Sequence, residues 1–167
     1  MKLYIVRHAI AVPRGTLGGR DEDRVLTEEG RAKMRLNALG LRSLGYLPEL
    51  ILSSPLARAR QTAEILLEAF GGEIGLKIVT ALAPSGERPE LYREIGRCEK
   101  KMKSVMLVGH QPSLGEIAGE IAFGSSEHFI EFKKGGACLI ECETARGIPR
   151  GILISLLTPS ILRRIAS

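Results

Sequence analysis

"LYIVRHAIA", residues 3–11, decides how the rest of the chain is read. Leu3, Tyr4, Ile5 and Val6 form a continuous apolar run of the length expected for a strand buried on both faces. Arg7 and His8 follow at once, where the strand must hand over to a loop. A guanidinium and an imidazole are out of place in a core. They are well placed in a ligand site, because in open α/β sheets ligands gather at the carboxyl ends of strands, beside the helices that follow.

Outward from this stretch, short apolar runs alternate with amphipathic segments. Thr27 is the predicted N-cap of a first helix, with Glu28 and Glu29 in the turn where the helix dipole favours carboxylates. Ala32, Leu36 and Leu39 recur at helical spacing along it, and Gly45 is its stop. Leu50 to Leu52 is a second strand. "SSPLARARQTA" (53–63) follows, with Pro55 suited to the first turn of a helix. Ala59, Ala63, Leu66, Leu67 and Phe70 form that helix's buried face as far as Gly71 and Gly72. Leu76 to Val79 is a third strand, and Leu91, Ile95, Cys98 and Met102 suggest another helix. "SVMLVGHQP" (104–112) is a fourth strand ending at Gly109 and His110, and a helix runs on through Leu114, Ile117, Ala118 and Ile121. Residues 137–143 and 151–157 pair as a closing hairpin. This repeated strand-then-helix order predicts an α/β fold, with helices packed on a mostly parallel sheet.

The chain has 167 residues, 44% of them hydrophobic and 26% charged, with no linker, repeat or low-complexity tract. One domain over residues 1–167 is expected, large enough for a real core. No apolar run spans a bilayer, and Arg7 and His8 interrupt the N-terminal run before a signal-peptide core forms. The expected location is cytoplasmic, with no membrane partner. Cys98, Cys138 and Cys142 have spacings that suit neither a disulfide framework nor a zinc site, and read as small buried hydrophobes. The net charge of +5 suits an anionic partner. With aromatics at 4%, no Trp, and Lys and Arg dispersed along the chain, nucleic acid is not the expected one.

Three strand ends carry chemistry: Arg7 and His8 after the first, Ser53 to Arg58 after the second, Gly109 and His110 after the fourth. If those strands are parallel neighbours, two arginines, two histidines and a helix N-terminus converge on one pocket. Arginine offers forked donors that match phosphate oxygens, and the first helical turn adds unpaired N–H groups, so the inferred ligand is a phosphoryl group. The arginines would repel a metal cation and no carboxylate cluster lies near either histidine, so neither metal nor cofactor is expected. Each group alone has an ordinary explanation. His110 could cap a strand, Arg7 and Arg58 could be surface ion pairs, Ser53 and Ser54 are common turn residues, and His128 is an edge residue without a partner motif. Their conjunction at strand ends sets the first four groups apart.

"VRHA" (6–9), "SSPLARARQTA" and "VGHQP" (108–112), in this order, resemble the histidine phosphatase superfamily, and specifically its small SixA-like phosphohistidine phosphatase branch. The resemblance covers residues 2 to 158. It implies a three-layer α/β/α sandwich of the phosphoglycerate mutase-like fold, around a mixed sheet of about six strands. It also implies that His8 is the nucleophile that accepts the phosphoryl group, with Arg7, Arg58 and His110 as the other members of the phosphate pocket. "RVLTEEGRAKM" (24–34) resembles the family's R-x-L-T-x-x-G segment, which puts Arg24 at the pocket rim. Ala9 stands where many members have glycine, which points to the SixA-like branch.

The substrate expected from the resemblance is phosphohistidine on a protein, with inorganic phosphate as product. In related branches a carboxylate after the third strand protonates an alcohol leaving group. Here Glu87 is the nearest carboxylate in that stretch, and it reads equally well as an exposed loop residue. A phosphohistidine needs such an acid less, because its imidazole leaving group can already carry a proton. Only about twenty residues separate His8 from the first helix, too few for a folded lid. Arg14, Arg20 and Arg24 could meet an acidic protein face. The alternatives are a general phosphomonoesterase acting on small sugar or nucleotide phosphates and, more remotely, a non-catalytic phosphate-binding module.

Overall fold

The computed structural model describes residues 1–15, 20–125, 127–145 and 147–166. Six strands form one mixed sheet: β1 (Lys2–Arg7), β2 (Leu50–Ser53), β3 (Gly75–Ile78), β4 (Ser104–Gly109), β5 (Ala137–Ala145) and β6 (Ile148–Leu157). Their order is β3-β2-β4-β1-β5-β6. The pairs β3–β2, β2–β4 and β4–β1 are parallel, whereas β5 and β6 run antiparallel. The three strands with chemistry at their ends are therefore parallel neighbours with β4 in the middle, and their carboxyl ends open on one edge of the sheet.

Five helices cover the two faces: α1 (Glu28–Ser43), α2 (Ala57–Phe70), α3 (Arg88–Glu99), α4 (Ser113–Phe123) and α5 (Pro159–Ile165). Alternation along β1 and β4 assigns the faces. Leu3, Ile5, Val105 and Leu107 pack with Leu91, Ile95, Leu114 and Ile117 of α3 and α4. Tyr4, Val6, Met106 and Val108 pack with Met34, Ala38, Ala63, Leu66 and Leu162 of α1, α2 and α5. Both faces of these strands are covered, which is why they read as unbroken apolar runs instead of alternating ones. Cys98, Cys138 and Cys142 are buried with free thiols, and burial pushes all three upward in pKa.

Thr27 caps α1 as expected, accepting from the Gly30 N–H at 2.9 Å, and Gly45 follows the helix with φ +74. The stripe expected on α1 is corrected. Leu36 and Leu39 are exposed, and the buried face is Gly30, Met34, Asn37, Ala38, Gly40 and Leu41. Two 3.6-residue stripes run along this helix, and its packing between α2 and α5 selects the one with small residues. Gly40 shows why: a Cβ there would lie 2.1 Å from the Leu162 carbonyl oxygen, so the backbones of α1 and α5 touch. Pro55 precedes the cap residue Leu56 instead of sitting in the first turn of α2, and Met102 lies beyond α3. Among the described residues no helix is long and apolar enough to cross a membrane.

Candidate active site

The sheet edge is laced by backbone hydrogen bonds before any side chain acts. The His8 N–H donates to the Gly109 carbonyl at 3.0 Å, the Arg7 N–H to Gly136 at 3.1 Å and the Ser54 N–H to Val108 at 2.9 Å. The ends of β1, β2 and β4 are thus tied to one another and to the loop entering β5. The Ala9 N–H donates to Thr62 Oγ1 at 3.0 Å, and that hydroxyl donates to the Arg58 carbonyl at 2.7 Å. One buried hydroxyl therefore joins the loop after His8 to the turn of α2 that carries Arg58.

His8 is buried, and its Nδ1 lies 2.7 Å from the Ala9 carbonyl oxygen. A carbonyl can only accept, so Nδ1 carries the proton and the lone pair sits on Nε2. His110 is also buried, its ring centroid 5.1 Å from that of His8. Its Nε2 lies 2.8 Å from Ser54 Oγ, while its Nδ1 is buried with no hydrogen-bond partner among the described residues. Arg7 donates from Nη1 to the Phe132 carbonyl at 2.6 Å, and its Nε is likewise buried without a partner among the described residues. Buried polar atoms are seldom left unpaired, so two such nitrogens at neighbouring strand ends form an environment that an oxyanion would complete.

Both imidazoles are neutral in this state. Burial pushes His8 down to about 3, and the charges of Arg58, Arg7 and Lys134 add to this against the hydrogen bond to Ala9. Burial likewise takes His110 to about 3, aided by His8, Arg58 and Arg7. The arginines keep the pocket cationic, although burial also works against the charge of Arg7 and Arg58.

Arg58 is buried at the first turn of α2, and Nη1 donates to the Asp21 main-chain carbonyl at 2.7 Å while Nη2 donates to Asp21 Oδ2 at 3.0 Å. Asp21 opens a short 3₁₀ turn and also receives Arg24 Nη1 at 2.8 Å and Arg14 Nε at 2.9 Å. These partners, Arg24 first, hold its carboxyl far below the usual range. Arg24 is therefore tied to Arg58 through Asp21, and its Nε donates to the Val12 carbonyl at 2.7 Å. Arg14 pairs with Asp21, and Arg20 with Asp23 and Glu22, so these loop arginines spend their charge within the loop. Glu87 is exposed at the cap of α3, without a side-chain hydrogen bond or ion pair among the described residues. His128 is exposed and lies edge-on to Phe123. Asp21 and Thr62 are the site residues that sequence reasoning missed, together with the pairing of Ser54 to His110.

Residues 3–83 match the family model of the histidine phosphatase superfamily, branch 1. A phosphohistidine phosphatase SixA homologue of Haemophilus influenzae is 31% identical over 134 residues, covering 72% of this chain and 77% of that protein. The chain belongs to the histidine phosphatase superfamily. Within it, the chain falls in the SixA-like branch and is a phosphatase. An uncharacterized protein of Picosynechococcus sp. is 42% identical over 149 residues, 87% of this chain and 88% of its own length. The solved protein histidine phosphatase SixA, complexed with tungstate, superposes with a TM-score of 0.85 at 23% identity over 97% of this phosphatase and 99% of that chain, and so shares its fold. The six-stranded mixed sheet with helices on both faces is that superfamily's phosphoglycerate mutase-like architecture.

Proposed function

We propose that residues 1–167 act as one cytoplasmic domain that removes the phosphoryl group from phosphohistidine on proteins. His8 is the nucleophile, and Arg7, Arg58 and His110 hold the phosphoryl oxygens. The observation that carries this reading is the hydrogen bond from His8 Nδ1 to the Ala9 carbonyl, which leaves Nε2 of a neutral imidazole free to attack. The new bond forms between Nε2 and phosphorus as the substrate P–N bond breaks, and the substrate imidazole leaves with its electron pair and a proton. Water then attacks phosphorus, releasing inorganic phosphate and restoring His8. The unpaired nitrogens of Arg7 and His110 suit the oxygens on which charge is held during transfer. An arriving dianion favours a proton on His110, offsetting the cost of burial.

Leaving-group chemistry supports phosphohistidine over a phosphoester. Asp21, the carboxylate bonded to a pocket residue, is held ionised by arginines and cannot supply a proton. Glu87 is kept as the proposed acid for ester substrates only, where an alkoxide needs one. The test is to incubate the protein with phosphoramidate, quench by denaturation and assay bound phosphate. An acid-labile, alkali-stable label that is absent in His8→Ala is expected. An unlabelled wild-type protein would leave only the phosphate-binding module, and equal turnover of sugar phosphates and phosphohistidine would favour the general phosphomonoesterase.

A further inference from the structure

A groove of about 640 Å³ opens beside the phosphate pocket, with Arg7 as part of its wall. It runs between the end of β1, α1, the loop before β5 and the start of α5. Its cations are Arg7, Lys33, Lys133, Lys134 and Arg163, against the single lining carboxylate Glu131. Lys33 is engaged by Glu29, but Lys133 and Lys134 are exposed and make no ion pair among the described residues. The floor is built: buried Asn37 donates to the Gly135 carbonyl at 3.1 Å and accepts from Arg163 at 3.4 Å. On the other side of the pocket Arg14, Arg20, Arg24 and Arg58 all have partners among Asp21, Glu22 and Asp23, whereas Lys133 and Lys134 have none among the described residues.

We propose that this groove binds an acidic segment of the phosphoprotein, a run of Asp or Glu side chains next to the phosphohistidine, so that the enzyme reads the charge around its target. The inference rests on the proposed phosphohistidine substrate. A groove of this volume, with cations along both walls, is far larger than one carboxylate or phosphate and matches a chain segment carrying several. Its continuity with Arg7 places that segment within a few residues of the phosphorylated histidine.

The test uses two synthetic phosphohistidine peptides, one flanked by Glu and one by Gln. The Glu peptide is expected to show about tenfold higher kcat/KM at low ionic strength, with the advantage shrinking in high salt. In K133E/K134E the ratio falls to near one, and in the milder K133A/K134A it is intermediate. A ratio near one in the wild type, or one unchanged in both variants, overturns the proposal. So does a salt-sensitive preference confined to small bisphosphates over monophosphates, which would make the groove a small-molecule subsite. The unphosphorylated Glu peptide separates this inference from the catalytic one. It is expected to shift the NMR amide signals of residues 131–134 in the wild type and not in K133E/K134E. Those shifts without turnover of either phosphopeptide would keep the groove and sink the phosphohistidine reading, and their absence overturns the groove.

Discussion

The guanidinium of Arg58 is held by Asp21 at two points, the main-chain carbonyl at 2.7 Å and the carboxylate at 3.0 Å. A residue in a charge-rich loop thus orients a buried cation of the proposed phosphate pocket. Asp21→Ala is expected to lower kcat/KM about tenfold, because an Arg58 freed of its carboxylate loses its fixed fork geometry. Asp21→Asn, which keeps the main-chain contact and a polar acceptor, should recover part of the loss. Steady-state kinetics on phosphohistidine check this, and a rise in kcat/KM would mean that Asp21 competes with phosphate for Arg58.

Ser54 Oγ is the hydrogen-bond partner of His110 Nε2. Removing it in Ser54→Ala leaves a buried ring nitrogen unpaired and the imidazole free to turn, a cost of about 1–3 kcal/mol. kcat is expected to fall about tenfold, less than in His110→Ala, with the far-ultraviolet circular dichroism unchanged. Wild-type kcat in Ser54→Ala would remove Ser54 from the site.

Thr62→Val keeps the shape of the side chain and deletes the hydroxyl that joins Ala9 to Arg58. The Ala9 N–H loses its buried acceptor, so stability should drop by about 1–3 kcal/mol in urea unfolding. A midpoint unchanged from wild type would show that the link is dispensable.

Burial of two neutral imidazoles predicts an acid-sensitive fold. The unfolded chain takes up these protons near pH 6.5, whereas His8 and His110 in the folded state resist them down to about 3. Between those values the unfolded state binds more protons, so this stability is full above pH 6.5 and is lost as pH falls toward 3. Between pH 6.5 and 5, before carboxylates dominate, H8Q/H110Q should flatten the slope of stability against pH by up to about 2.7 kcal/mol per pH unit, one proton for each ring. Unfolding free energies measured at pH 5, 6 and 7 give both slopes, and parallel slopes would contradict the burial of these rings.

In an exposed helix interior Gly→Ala stabilises by about 1 kcal/mol. Gly40→Ala should do the opposite, because its Cβ would sit 2.1 Å from the Leu162 carbonyl. A lowered thermal midpoint with α5 displaced is the expected result, and a raised midpoint would mean that the two helices do not touch.

Much of this was legible from residues alone. Continuous apolar runs marked β1, β2 and β4, and polar groups at their ends marked the pocket, because burial on both faces leaves no alternation to confuse with a helix. The stripe of α1 was not legible, since Leu36 and Leu39 repeat at the same period as Met34, Ala38 and Leu41, and only close approach to α5 chooses between them. The charges at 20–24 offered three acids and two arginines without any period, so nothing local singled out Asp21 as the partner of Arg58. Ser54 read as a turn residue because its hydrogen bond reaches a histidine fifty-six positions later, a distance at which spacing carries no signal.

The central position of β4 bears on when the pocket can exist during synthesis. His8 is anchored to Gly109, Ser54 to Val108, and Arg7 to Phe132 and Gly136. A nascent chain carries His8, the proposed nucleophile, well ahead of these anchors, yet β1 and β2 have no shared neighbour to align their ends until β4 has left the ribosome, and Arg7 waits longer for the loop before β5. Such long-range pairings fold late. Protection of His8 by phosphate would therefore report on a nearly finished fold, and intermediates stalled before residue 104 should be blind to it.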